Sequence, residues 1–273
     1  MRPALVTDSN SQIPAELRER FDVRVVAIPV VVDGTEYLEG VDLDADGFYG
    51  LFVDGTPDVS TSQPSPGAFV EVYQSCIDAG HDEIISIHVG RTLSGTLNSA
   101  RIAVGMVDAT VHLVDSRTMS FGVSCCLWEA GEVLEHGGSV ADAIRAAETL
   151  ADKLQSVTAL GASQLLKDSG RVGFEESDSG IDVYLAGPDG SFASVGARPT
   201  VDGVCELMAT TMNNDGKPIK VALGIADQTA MPYYEGLEAL LAERPDVTQI
   251  VRYRIGPSVG AFTGLGTAGG FWW

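Results

Sequence analysis

Short apolar runs alternate along the first half of the chain with segments whose apolar residues recur at helical spacing. Ala4, Leu5, Val6 and Thr7 read as a strand that runs straight into the polar turn Asp8-Ser9-Asn10-Ser11. Pro14 sits near the start of a short helix with Leu17 and Phe21 on its inner side. Residues 23–32 are a β-branched run interrupted by Pro29, and Asp33-Gly34 is a hairpin signal followed by Thr35, Glu36 and Tyr37. Residues 43–54 intersperse Phe48, Leu51 and Phe52 with acidic residues, as a short amphipathic helix does. Ser65 followed by Pro66 marks a helix start, a side-chain cap and then a proline where no donor is lost. Phe69, Val72, Tyr73, Cys76 and Ile77 then form one apolar face.

The same alternation continues. Residues 84–87 are a buried strand ending in a small, polar turn, after which Ser94-Gly95-Thr96 opens a helix carrying Leu97, Arg101 and Val104. Residues 110–114 are a strand ending in Asp115-Ser116-Arg117-Thr118. Val123, Cys126, Leu127, Ala130, Val133 and Leu134 define a helix that stops at His136-Gly137-Gly138, and Ser139 caps the next, with Ala143, Ala146, Ala147, Leu150 and Leu154 on one face. Such β-α-β-α units favour a parallel sheet with crossover helices. Three strand ends carry polar turns, at Asp8-Ser9, at Arg91 to Ser94 and at Asp115-Ser116, and open α/β sheets bind ligands at the carboxyl ends of strands.

The second half changes character, so a domain boundary is expected near 155–160, giving domains 1–157 and 158–273. Residues 158–162 read as a strand, 163–167 as a short helix and 168–173 as a loop. Residues 181–185 and 192–195 flank Gly187-Pro188-Asp189-Gly190, a hairpin signal. Residues 220–226 and 248–253 read as strands and 231–243 as a helix. The glycine-rich tail from Ile255 onward permits either close approach of its backbone to a ligand or to the other domain, or a tightly packed terminal strand. The fold class is therefore α/β, two α/β domains of which the first has a mostly parallel sheet.

Charge narrows the partners. The 38 acidic against 17 basic residues give a formal net charge of −21, which argues against nucleic acid and against docking on an anionic membrane, since both need clustered Lys and Arg. The cysteines Cys76, Cys125, Cys126 and Cys205 have no metal-ligand spacing and read as buried or reduced thiols. No apolar stretch approaches the roughly 18 residues of a membrane span, and the apolar run at the N-terminus is too short for a signal peptide. The expectation is a cytoplasmic, soluble protein with no stable membrane insertion.

The chemistry on offer suits recognition better than covalent or metal catalysis. No P-loop, HExxH or GxSxG is present, the histidines His81, His88, His112 and His136 are scattered, and no metal site or catalytic residue is assigned. At Ser94-Gly95-Thr96 the Ser94 hydroxyl can cap the helix, while the free N–H groups of its first turn and the helix dipole favour a carboxylate or phosphate; an ordinary cap with no ligand accounts for the same residues. Thr61-Ser62-Gln63, three neutral hydrogen-bonding side chains before Pro64 and Pro66, is either a binding loop or simple turn chemistry. Asp8 and Asp115 can form a carboxylate pair if their strands are adjacent.

Taken in order, several stretches resemble the DegV family of bacterial fatty-acid-binding proteins. Val6-Thr7-Asp8-Ser9 resembles its first strand and turn, Thr61-Ser62-Gln63-Pro64-Ser65-Pro66 its TSQPS segment, and Leu93-Ser94-Gly95-Thr96 with Asn98-Ser99-Ala100 its LSGT helix start. Val114-Asp115-Ser116, Gly170-Arg171-Val172, and Ile255-Gly256-Pro257 with Val259-Gly260 and Thr263-Gly264 follow as later landmarks. The resemblance implies two α/β domains with the ligand site between them, the second covering the acyl chain. It implies a long-chain fatty acid, such as palmitate, whose carboxylate is held by Thr61 and Ser94, with Ser62, Thr96 and Thr263 around it and Arg171 contacting the head group or a partner. It also implies a carrier rather than an enzyme, needing no cofactor, which presents the lipid to a separate fatty acid kinase for phospholipid synthesis. Departures are Phe262, where the family usually has a histidine, Arg91, where relatives commonly have a small residue, and a thinned basic run at Gly196-Ala197-Arg198-Pro199. The rival reading is an enzyme acting on a small phosphorylated or carboxylated metabolite, with Asp8, Asp115 or His88 in acid–base roles.

Overall fold

A computed structural model describes residues 3–53, 55–161, 180–187 and 191–273. The chain divides into two compact units, one made of Met1–Leu43 with Asp58–Lys153 and the other of Asp44–Pro57 with Leu154–Trp273.

The first unit is built on a four-stranded, all-parallel sheet in the order β2-β1-β6-β7, formed by β1 (Ala4–Asp8), β2 (Val23–Val26), β6 (Glu83–His88) and β7 (Thr110–Asp115). The helices α1 (Ala15–Phe21), α3 (Pro66–Asp78) and α4 (Thr96–Val104) lie on the crossovers that parallel strands require, and α5 (Phe121–Glu135) and α6 (Val140–Ala151) follow β7. Phe69, Tyr73 and Cys76 of α3 and Ala100 and Ala103 of α4 pack with Ala4, Val6, Val26 and Ile84 into one core. The run at 23–32 does not stay one strand. Pro29, which has no N–H to donate, stands at the first position of β3 (Pro29–Val32), which lies between β4 (Thr35–Leu38) and β5 (Val59–Thr61) in a separate antiparallel sheet.

In the second unit the helix expected over 43–54 is the shorter α2 (Ala45–Gly50), with the Asp44 side chain accepting from the Gly47 N–H at 2.7 Å. The remaining described helices are α7 (Val201–Thr211), α8 (Met231–Ala242) and α9 (Pro257–Thr263). Here α2 packs on α9, with Phe48 and Tyr49 against Gly260, and Asp46 pairs with Arg254 at 2.9 Å. The sheet has six strands in the order β10-β9-β8-β13-β11-β12: β8 (Gln155–Ala159), β9 (Ile181–Ala186), β10 (Phe192–Arg198), β11 (Ile219–Ile225), β12 (Val247–Arg254) and β13 (Ala268–Trp272). The first of these begins earlier than the strand expected over 158–162. The tail folds as a packed interior strand: β13 runs antiparallel between β8 and β11, and an added Cβ at Gly270 would lie 3.0 Å from the Ala222 carbonyl oxygen. The hairpin of β9 and β10 closes with Gly187 N–H donating to Ser191 O at 2.8 Å. The helix expected over 163–167, the loop over 168–173 and the hairpin positions 188–190 lie outside the described residues.

All of the cysteines are buried free thiols, and burial pushes the Cys126 thiol up to about 12.

Candidate functional site

The parallel sheet of the first unit ends in Asp8 on β1, His88 on β6 and Asp115 on β7, with His88 and Asp115 in register. Because β6 stands between β1 and β7, the two aspartates are not the carboxylate pair that adjacent strand ends would make; Asp8 is bonded to His88 and Asp115 to Arg91. Asp8 Oδ2 receives His88 Nδ1 at 2.9 Å and the Val89 N–H at 3.1 Å, and Oδ1 receives the Asn10 N–H at 3.1 Å. A carboxylate only accepts, so His88 carries a proton on Nδ1. Ser86 Oγ lies 2.6 Å from Nε2, and the Tyr73 hydroxyl lies 2.9 Å from Ser86 Oγ. Hydrogen bonds thus join Tyr73, Ser86, His88 and Asp8 into one chain. Burial holds the Tyr73 phenol up at about 12, so it stays a donor at neutral pH. All of these side chains are fully buried. The order Ser–His–Asp is that of a hydrolase triad, yet here the hydroxyl is engaged by a tyrosine and closed to solvent, so neither Asp8 nor His88 meets a substrate in an acid–base role.

The loop after β6 is held by successive main-chain donors. Val89 N–H goes to Asp8, Gly90 N–H to Thr118 O at 2.8 Å, and Arg91 N–H to Asp115 Oδ1 at 3.2 Å. The loop packs closely at Gly90, where a Cβ would lie 3.1 Å from the Arg117 carbonyl carbon. The Arg91 side chain, 75% exposed, turns to Asp115, with Nε 3.4 Å from Oδ2. Further along, Ser94 and Leu93 N–H groups both return to Gly90 O. Helix α4 starts one residue later than its serine suggests: Gly95 is the N-cap, while Ser94 Oγ accepts from the Thr96 N–H at 3.2 Å and lies 2.8 Å from Thr96 Oγ1.

A second loop lies against this one. Thr61 ends β5 opposite Val30, Ser62 N–H donates to Pro29 O at 3.1 Å, and Ser65 caps α3 by accepting from the Ala68 N–H at 3.1 Å. Between them the Gln63 side chain reaches across to α4: a Cβ on Gly95 would collide with its amide oxygen and lie 2.7 Å from Cδ. Thr61-Ser62-Gln63 and Ser94-Gly95-Thr96 are therefore neighbours, two loops of neutral hydroxyls at the N-terminus of one helix. Thr61 and Ser94 are both half-buried, Ser62 is exposed and Thr96 is fully buried. No group of three or more side chains able to hold a metal ion occurs among the described residues, and no described helix is long and apolar enough to cross a membrane.

The family model described as "Uncharacterised protein, DegV family" matches residues 2–273. The chain belongs to the DegV family. A DegV domain-containing protein of Staphylococcus aureus is 28% identical over 280 residues, covering 97% of this chain and 96% of its own. Among solved structures, a DegV family protein from Thermus thermophilus, described by its fatty acid binding, superposes with a TM-score of 0.88 at 26% identity, covering 100% of this chain and 99% of its own. DegV from Bacillus subtilis, described as a fatty acid binding protein, superposes at 0.86 with 25% identity and the same coverage.

Of the DegV site residues expected from sequence, the first unit holds Thr61, Ser62, Ser94 and Thr96 on neighbouring loops. Thr263 belongs to the second unit, at the end of α9, where its hydroxyl donates to Val259 O at 3.3 Å and its carbonyl accepts from Thr267 Oγ1 at 2.7 Å. Arg171 lies outside the described residues. Sequence reasoning missed the contact of Gln63 with Gly95 and the chain from Tyr73 to Asp8. The one available signal was that Gly95 follows a serine at a helix start, where a side chain from elsewhere can lie on the bare backbone.

Proposed function

We propose that this DegV-family chain is a cytoplasmic carrier that binds a long-chain fatty acid such as palmitate, holds its carboxylate with the Thr61 and Ser94 hydroxyls, and presents it to a separate fatty acid kinase for phospholipid synthesis. The observation that carries the reading is the contact of the Gln63 side chain with Gly95, which brings the two hydroxyl-bearing loops to the same helix start. The relatives from Thermus thermophilus and Bacillus subtilis, both described as binding fatty acid, support the ligand class.

The energetics suit a carrier. Burying an acyl chain contributes about 0.8 kcal/mol per methylene, hence about 10 kcal/mol for a C16 chain before ordering costs. Affinity then comes from the tail, and the carboxylate needs orientation and satisfied hydrogen bonds. Neutral hydroxyl donors orient it and leave its oxygens approachable, whereas a bidentate arginine clamp would hold them more tightly. In this reading Ser62, Thr96, Thr263 and Arg171 form the polar surround of the head group.

Presentation to a kinase is tested with palmitate-loaded protein, ATP and a fatty acid kinase, by following acyl-phosphate formation. Phe262 stands where the family usually carries a histidine. If a polar group there assists phosphoryl transfer, Phe262→His raises turnover about tenfold, the worth of one positioned hydrogen bond. No turnover by either form would rule out presentation and leave palmitate binding standing.

A further inference from the structure

We propose that His88 is a positioning residue that locks the Thr61 loop and the Ser94 loop into a single carboxylate-binding arrangement; the proposal rests on the fatty-acid reading above. His88 touches neither hydroxyl. It acts through what it joins.

Each loop is joined at one end to an element that His88 grips. The Ser94 loop leaves the end of β6 directly after His88, and the Thr61 loop leads into α3. On the α3 side the imidazole meets the Phe69 ring edge to face, with centroids 5.1 Å apart at 86°, and through Ser86 it reaches the Tyr73 hydroxyl one helical turn further on. On the β1 side its Nδ1–H donates to Asp8, and the same Asp8 oxygen takes the N–H of Val89, the first residue of the Ser94 loop. One ring thus ties α3, β6 and β1 together, where the Thr61 loop ends and the Ser94 loop begins, and all of its partners are closed to solvent. The buried polar groups are all joined: Nδ1–H donates to the carboxylate, Nε2 meets the Ser86 hydroxyl, and that hydroxyl meets Tyr73. Shifting the ring by a hydrogen bond moves α3 relative to β6, and so moves Thr61 relative to Ser94. An ångström of error in the spacing of two donors is enough to lose one of the two bonds to a single carboxylate.

The test must separate positioning from plain stability. Tyr73→Phe removes only the far hydroxyl of the chain and keeps the ring that fills the core. His88→Asn keeps a donor near the Nδ1 position toward Asp8 and removes the Nε2 contact with Ser86. Binding of palmitate and of hexadecanol, which has the same tail without the carboxylate, is measured for each variant. Tyr234→Phe is the control, since it removes a buried phenol that donates to Tyr253 O in the second unit. Tyr73→Phe and His88→Asn are each expected to weaken palmitate about tenfold, the equivalent of one hydrogen bond, while hexadecanol changes less than about twofold. Tyr234→Phe leaves the palmitate-to-hexadecanol ratio at its wild-type value. Equal weakening of both ligands, an unchanged ratio, or the same change in the Tyr234 control would overturn the positioning role while leaving the fatty-acid reading intact. Failure of the unaltered protein to prefer palmitate over hexadecanol would overturn both.

Discussion

Replacing Thr61 and Ser94 together by alanine is expected to weaken palmitate binding by at least about a hundredfold while the protein stays folded. A hydrogen bond to a charged group is worth about 1.5–3 kcal/mol, and every 1.4 kcal/mol is about tenfold in affinity, so two lost donors exceed two orders of magnitude. The single variants should each lose about tenfold or more. Stability should fall by only about 1 kcal/mol, because both side chains are half-buried and the bonds that Ser94 makes within the protein are those to Thr96. Calorimetric titration with palmitate beside denaturant unfolding reads both quantities. An unchanged palmitate affinity in the double variant would place the carboxylate elsewhere.

The largest stability effect should come from the second unit, at Gly224. It lies in β11, in register with Tyr253 of β12, whose ring crosses the bare backbone of the glycine. A Cβ at 224 would collide with the ring carbon that bears the hydroxyl. The ring cannot swing away freely, because it is buried, packs with Phe271 at 6.3 Å between centroids, and belongs to a residue whose carbonyl accepts from the Tyr234 hydroxyl. Gly224→Ala should therefore cost about 3 kcal/mol, the upper range for overpacking a core. Adding Tyr253→Leu removes the clash and should return part of that loss, a coupling of about 1–2 kcal/mol between the two sites. Denaturant unfolding of the two single variants and the double variant measures it, and purely additive losses would refute the packing account.

Much of the architecture could be read from residue order because its signals are local. Ser65-Pro66 and Ser139 cap helices where the sequence says they do, and the apolar runs ending at Asp8, His88 and Asp115 are strands of one parallel sheet. The DegV family was legible for the same reason, as a series of short motifs in fixed order. What could not be read depends on pairing at a distance. Asp8 and Asp115 looked like partners until the strand order put His88 between them. Whether the glycines of the tail served a ligand or a strand depended on β13 lying between β8 and β11, and no local pattern distinguishes an interior strand of that kind from a binding loop. Residues 44–57 group with the second unit although they lie early in the chain, through Phe48 and Tyr49 against Gly260. In the candidate site, Thr61 and Ser94 each carried a local signal, but the Gln63 side chain on Gly95 that makes their loops neighbours is a contact between distant segments.

The most direct measurement is native mass spectrometry of the freshly purified protein, followed by denaturation and lipid analysis of what is released. The account predicts one fatty acid of about C14–C18 per chain, the range in which the buried tail supplies most of the binding free energy. A clean ligand-free mass, together with no stabilisation on adding C14–C18 fatty acids, would contradict it and favour a polar metabolite at the strand ends instead.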